Sequence, residues 1–405
     1  MAHFIVAGGG IAGLAAALAC AHQGHKVTVL EQAPIIEEIG AGIQIGPNGR
    51  RALEGLGVWD LLRPRVVFPR AIRILRAKGG ALAELPLNEP FQRMFDGTYQ
   101  VVHRADLLDA LFVEATQRPL IRIHTGRRVT GFAQDDNGVR VDIEREETDA
   151  EGAEKHQTLT GDFLIGADGI RSRVREGLLH DGPPQFAGHV LYRALVDIDA
   201  VPEGVDLSSV HLWLHEGGHV VHYPVAAGEK FNIVAAVNES WESEGWSEPS
   251  DGAILRRVFK DVAPALEKVL SLPRQWLRWA GADREPVNTW GKGRVTLIGD
   301  AAHPTLPYLA SGAVMALEDA VILGRKLAAI RSREREASDE EIISALRAYE
   351  ATRQPRTARI VKRSHALGRI YHAGPPLSLA RDLFIRARSG TAGLRAMRWL
   401  YGWRP

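Results

Sequence analysis

The 405-residue chain contains one cysteine, Cys20. It can form no internal disulfide and no Cys-x-x-Cys redox pair, and it suits a reducing compartment, so we expect a cytoplasmic protein. It also has almost no net charge: fifty Lys and Arg offset forty-nine Asp and Glu, leaving +1. No basic surface is implied for nucleic acid, and no electrostatic pull towards a membrane. Long uncharged runs are scarce too. The one that stands out is Phe4–Ala21, eighteen residues, preceded by Met1, Ala2 and His3 and interrupted by four glycines. It has no basic segment before it, as a signal peptide would, and the glycines argue against membrane insertion.

What the run does contain is a pattern. Phe4–Ala7 reads as a buried strand, Ile11–His22 as a helix and Lys26–Glu31 as a second strand. Between the first two lies Gly8-x-Gly10-x-x-Gly13. In such a unit the first glycine permits a tight turn, the second lets the backbone approach a pyrophosphate, and the third lets helix and strand pack closely. The helix N-terminus then faces the phosphates. Glu31, eighteen positions after Gly13, is placed to accept the hydrogen bonds of a ribose diol and would repel a 2′-phosphate. We read this as a dinucleotide-binding unit, the alternative being a glycine-rich turn needed only for close packing, and no second G-x-G-x-x-G follows it.

Two later stretches repeat an apolar strand ending in a small residue and a carboxylate: "FLIGADGIRSRVR" at 163–175, with a helix opening at Ile170, and "VTLIGDAAHP" at 295–304. In the first, Asp168 is placed either for a ligand or as a helix cap. "HRADLLDAL" puts Arg104 at the front of an amphipathic helix. From Leu191 to about Val237 the pattern alternates, as in antiparallel sheet. The polar run 145–157 reads as a hairpin tip. From Asp339 onwards the chain is helical and Arg-rich, and most of those arginines read as a solvated face. A rigid turn at Pro304–Pro307 precedes Ser311-Gly312 and another helix start.

The combination of Gly8/Gly10/Gly13 with Glu31, Arg104, Asp168-Gly169, and "GDAAHP" followed by a glycine and "EDA" resembles the single-component FAD-dependent aromatic hydroxylases. The resemblance covers nearly the whole chain. It is nearest to the 3-hydroxybenzoate 6-hydroxylases, through "YLASGAVMALEDA" and the tail "LARDLFIRAR…WLYGW", with salicylate hydroxylase-like enzymes as neighbours. It implies an α/β fold: a Rossmann-type, glutathione reductase-like FAD-binding domain over 1–75, 101–180 and 285–340, a substrate-binding antiparallel sheet domain over 76–100 and 181–284, and a helical segment over 341–405. It implies that Gly8, Gly10 and Gly13 hold the pyrophosphate, Glu31 the adenosine ribose, Arg104 the phosphates, the Val129 backbone the adenine, and Gly299-Asp300 the ribityl chain. Asp168-Gly169 would serve both FAD and NAD(P)H. Gly312 and the following N–H groups would meet the flavin pyrimidine edge, where a helix N-terminus stabilises negative charge.

The reaction so implied uses NADH (or NADPH) as a transient co-substrate and O₂, and oxygenates a small aromatic substrate through a flavin C4a-hydroperoxide; the best match is 3-hydroxybenzoate to 2,5-dihydroxybenzoate. A non-oxygenating flavin dehydrogenase and a non-catalytic flavin binder are the competing classes. A homodimer is compatible with the family. A phenol with a pKa near 10 is a poor nucleophile until a base draws on its proton. On a strand, His219 and Tyr223 share one face and His222 takes the other, which also argues against a metal site at His215, His219 and His222. By resemblance His219, Tyr223 and Tyr99 contact the substrate. Pro307 stands where these hydroxylases usually carry a substrate-contacting glutamine, so another residue must supply that contact or the substrate must lack the group.

Overall fold

The structure, a computed structural model, describes residues 1–36, 41–145, 155–243, 245–331 and 335–405. His3–Ala7 and Lys26–Leu30 are parallel strands joined by the helix Ile11–His22. They lie in a six-stranded sheet in the order Gly291–Lys292, Val295–Leu297, Phe163–Gly166, His3–Ala7, Lys26–Leu30, Ile121–His124. Its central strands are apolar on both faces because the helix Ile11–His22 packs on one and strands from residues 127–161 pack on the other, and Phe4, Ile5, Leu164 and Ile165 are fully buried. The motif strand and the two later carboxylate-ended strands are adjacent in this sheet, so Gly8, Ala167 and Ile298 emerge at one edge. That edge, beyond the carboxyl ends of parallel strands, is where such sheets bind ligands.

The alternating middle of the chain folds as expected, though as a larger unit. Eight strands pair in the order Ser247–Ser250, Trp276–Asp283, Gln185–Asp197, Lys230–Asn238, Gly218–Val225, Val210–His215, Ala71–Arg76, Ala81–Pro86. All pairs are antiparallel except Val210–His215 with Ala71–Arg76. Residues 71–75, assigned on sequence to the cofactor unit, therefore belong to this sheet. They pair with Ala81–Pro86 on one side and with Val210–Leu214 on the other, and the second partner is too distant in sequence to be seen locally. We propose the three-unit division with that boundary at 71.

A short ribbon, Gly42–Ile45 against Gln100–His103, joins the two units. A three-stranded meander (Arg127–Asp135, Gly138–Arg145, His156–Gly161) flanks the first sheet. Arg145 and Lys155 are paired at the base of the expected hairpin, whose residues 146–154 lie outside the described residues. Asp339–Tyr371 is one helix of 33 residues, opened by a capping box in which Ser338 and Glu341 satisfy each other's backbone N–H. Leu377–Arg386 and two shorter helices complete the tail.

The arginines of "RQPRTARIVKR" are not mainly a solvated face. Arg353 is buried, with Nε 2.6 Å from Asp319 and Nη2 2.8 Å from Glu318, and Arg356 also pairs with Glu318. Arg359 and Arg363 lie over the Trp399 ring. The helix carries no internal mark of this, because the acids that claim it are in "EDA", more than thirty residues upstream.

Candidate active site

Two helix N-termini point into one cavity of about 330 Å³ between the units. The first is Ile11–His22, begun at Gly10; the second is Gly312–Ala329, begun at Ser311. Neither has a side-chain cap, and Ser311 donates its hydroxyl to the Leu309 carbonyl instead. Neither first turn carries an acid. The cavity therefore receives the positive ends of two helix dipoles with N–H groups unclaimed by caps, an arrangement suited to anions. The turn before Gly312 is set by a short 3₁₀ segment, Pro307–Leu309, and by Ala310 in the left-handed region (φ 47°), a conformation that costs roughly 1–2 kcal/mol for a residue with a Cβ.

The glycines separate into those the fold requires and those it does not. Gly8 has φ 106°, and a Cβ on Gly13 would fall 1.9 Å from the Gly8 carbonyl oxygen. These two serve the turn and the packing. A Cβ on Gly10 would meet nothing within 4 Å, and one on Gly312 only Thr305 at 3.7 Å. The protein leaves room for side chains there, yet both positions face the cavity. A flat, anionic group lying against bare backbone explains glycine at both, and FAD fits that description.

Most of the residues assigned on sequence gather around this cavity and an adjoining cleft of about 940 Å³. Gly10, Arg104, Gly169, Asp300, Gly312, His219 and Tyr223 line the cavity, with Pro307. Gly8, Gly10, Glu31, Val129, Asp168 and Gly169 line the cleft. Glu31 stands at the end of the second strand, its carboxylate accepting from the Gly9 and Ala33 N–H groups. Gly299 lies behind the cavity wall at φ 62°, its N–H donating to Asp319. Asp168 is committed largely to its own helix. That helix opens at Arg173, not Ile170, and Asp168 accepts from the Ser172 hydroxyl and the Arg173 and Val174 N–H groups.

His219 and Tyr223 share the cavity face of the strand Gly218–Val225. His222 takes the other face, stacked on His211 and accepting from Trp213 Nε1. His219 is buried with its Nδ1 2.9 Å from His372 Nε2. Burial first, and the His372 and His189 rings second, hold its pKa well below the ordinary histidine value, so the ring is neutral at pH 7. The Tyr223 ring packs on Gly42, where a Cβ would come within 2.5 Å of it, and burial pushes its hydroxyl pKa up. Tyr99 does not line the cavity. It sits one layer back among Phe91, Phe95 and Tyr401 and donates to Gln44 Oε1, which does line it.

Sequence reasoning missed three contributors. Gln44, from the ribbon, supplies an amide on the same cavity that Pro307 lines. Arg193 faces the cavity with its guanidinium 5.4 Å from the Trp279 ring centroid; an arginine at an inward position of "LYRALVDI" was a readable signal. Arg175 is buried and donates to the Ala301 and Ala302 carbonyls, clamping the Gly299–Ala302 turn.

Glu31→Arg tests the cofactor end. It removes a carboxylate placed to accept from a ribose, together with the two backbone contacts, and adds a cation. Losing charge-assisted hydrogen bonds of this kind weakens binding by about 1.5–3 kcal/mol, roughly tenfold or more. FAD content per chain, read from the visible spectrum, should fall; unchanged occupancy would remove Glu31 from the site.

Comparison with known proteins agrees with this geometry. Residues 1–364 match the family model described as FAD binding domain. The 3-hydroxybenzoate 6-hydroxylase of Klebsiella oxytoca is 39% identical over 401 residues, covering 99% of this chain and 96% of that protein. Klebsiella pneumoniae HpxO, solved with FAD and uric acid, superposes with a TM-score of 0.83 at 30% identity, covering 99% and 97% of the two chains. A salicylate hydroxylase solved with substrate gives a TM-score of 0.81 at 26% identity, covering 100% and 96%. With its glycine turn, its paired helix N-termini and matches that run nearly end to end, the chain belongs to the FAD binding domain family, among the flavoprotein monooxygenases that hydroxylate aromatic rings.

Proposed function

We propose that the protein hydroxylates a phenolic benzoic acid, with 3-hydroxybenzoate to 2,5-dihydroxybenzoate as the first candidate, using NADH. The observation that carries this reading is the placement of a neutral imidazole, His219, and a guanidinium, Arg193, on the sheet wall opposite the bare helix N-terminus at Gly312. Bound FAD would supply hydride acceptance and the activation of O₂. In this reading Gly8, Gly10 and Gly13 hold the pyrophosphate, Glu31 the ribose, Arg104 the phosphates, Val129 the adenine and Asp300 the ribityl chain. Asp168-Gly169 sits where cofactor and nicotinamide would pass one another.

The sheet wall handles the aromatic. His219 accepts the phenolic proton as the ring is attacked. A phenol bonded to a neutral base is electron-rich enough to react, and it need not ionise beforehand. Arg193 gives a carboxylate its countercharge, and Tyr223 and Gln44 hold the ring's polar edge. Gln44 meets the need that Pro307 cannot. Leu191, Val221 and Val234 supply the apolar remainder and keep water from the reacting carbon.

A panel of 2-, 3- and 4-hydroxybenzoate with benzoate and phenol tests this. NADH oxidation should be slow alone and accelerate with 3-hydroxybenzoate, giving 2,5-dihydroxybenzoate. If no aromatic changes the rate, the hydroxylase reading fails. A second reading is favoured by Pro307 and the likeness to salicylate hydroxylase: 2-hydroxybenzoate as substrate, distinguished in the same panel by its product. NADH consumption with no oxygenated product would indicate a flavin dehydrogenase.

A further inference from the structure

His219 does not stand alone. Its Nδ1 meets His372 Nε2 at 2.9 Å, and His372 Nδ1 meets Asn238 Oδ1 at 2.8 Å. The three residues come from two strands' ends and the end of the long C-terminal helix. Main-chain bonds lock them together: the Gly217 N–H donates to the His372 carbonyl, and the Asn238 N–H donates to the Gly217 carbonyl. His372 and Asn238 do not line the cavity. The rings around the pair are His189, Tyr308 and Tyr371, with Asp283 acting on His189 and Tyr308. Burial keeps both His219 and His372 low, so two neutral imidazoles share one hydrogen bond.

A neutral imidazole has one N–H and one lone pair, and its partners decide which nitrogen carries which. Asn238 is exposed, so water serves its amide NH₂ while its oxygen faces inward. We infer that His372 and Asn238 fix the tautomer of His219: the Asn238 oxygen accepts the His372 Nδ1 proton, His372 Nε2 accepts the His219 Nδ1 proton, and His219 Nε2 keeps its lone pair for the substrate.

The inference rests on the reading of His219 as base and assigns His372 and Asn238 as positioning residues. When oxygen adds to the ring, the phenolic O–H bond breaks and its proton passes to His219 Nε2; the O–H electron pair stays with the substrate. The imidazolium so formed already donates from Nδ1 to His372, whose lone pair stabilises the new charge. With the opposite tautomer, His219 Nε2 would present an N–H to the substrate and could accept no proton from it.

The test uses FAD-loaded protein, NADH and the aromatic that the panel identifies. His372→Leu should leave FAD content and the KM for the aromatic near wild type while product per NADH falls about tenfold or more, the usual size of losing a residue that orients a reacting histidine. His372→Gln, whose amide oxygen can still accept from His219 Nδ1, should restore most of that loss. In ¹⁵N-histidine spectra His219 Nε2 should be unprotonated in wild type and in His372→Gln, and mixed in His372→Leu. Asn238→Asp, a stronger acceptor, should keep the coupling and move the acidic limb of product formation to higher pH. Should His372→Leu not fold, Asn238→Ala at the exposed end carries the same test. Wild-type coupling in His372→Leu, or a proton on His219 Nε2 in wild type, overturns the inference. If His219→Ala itself stays coupled, the base reading has failed; if His219→Ala uncouples and His372→Leu does not, only the positioning role has failed.

Discussion

His219→Ala should lower hydroxylated product per NADH by about 10²–10⁴-fold, the ordinary worth of a positioned general base, while FAD binding and aromatic-stimulated NADH oxidation persist. The asymmetry follows from where the residue stands. It is on the sheet wall of the cavity and takes no part in the Glu31 cleft, so the contacts made in that cleft survive its removal. The missing function is needed only at oxygen transfer, so reducing equivalents should leave as hydrogen peroxide. His222→Ala is the control. It loses a stacked pair and a hydrogen bond from Trp213 on the opposite face, so it should cost stability and spare coupling. A fully coupled His219→Ala, or a more uncoupled His222→Ala, would refute the assignment.

Arg353→Leu should destabilise the protein by about 3–5 kcal/mol in chemical denaturation, because it takes away the buried guanidinium that two buried carboxylates share. Asp319 is fully buried and touches Arg353, His303 and the Gly299 N–H; Glu318 touches Arg353, Arg356 and Asn48. Burial pushes the Asp319 carboxyl up, but the His303 and Arg353 charges outweigh it and hold its pKa below the usual carboxylate value. A depressed folded-state pKa contributes stability above the unfolded value, near 4, and that stability is lost as pH falls through the folded value. The wild type should therefore lose part of this contribution in acid, and the variant should show less of that loss. Arg356 still pairs with Glu318, so a cost below about 1 kcal/mol would mean that Arg356 compensates and the network is not centred on Arg353.

The cofactor half was legible because it is local. Strand, glycine turn, helix, strand and acid follow one another within about thirty residues, and each glycine has its own steric or ligand reason. The helix Ile11–His22 begins and ends where the apolar pattern changes. The substrate half was legible only by face. Alternation along "HEGGHVVHYP" separated His219 and Tyr223 from His222, and the structure keeps that separation. What alternation cannot supply is the opposite wall. Gln44 arrives on a ribbon from the first unit, His372 from a helix over 150 residues away, and Tyr99 falls one layer short since Gln44 stands in front of it. The buried arginines escaped for the same reason. A charged residue on a helix reads as solvated until its distant partner is known, and Glu318-Asp319 becomes that partner only when the two helices pack.

The helix Asp339–Tyr371 meets both halves of the site. Arg353 reaches the acids behind the Gly299 turn, Ser364 donates to the Leu306 carbonyl, and His372 closes the far end against His219. Arg353 and His372 are nineteen positions apart along it, roughly 28 Å at 1.5 Å per residue. The helix thus acts as a ruler with two fixed marks. Inserting one residue between the marks would turn His372 by roughly 100° off its bearing, and deleting one would do the reverse. A change of length in this stretch would part His372 from His219, so related chains that keep the pair should hold its length constant even where they share few of its side chains.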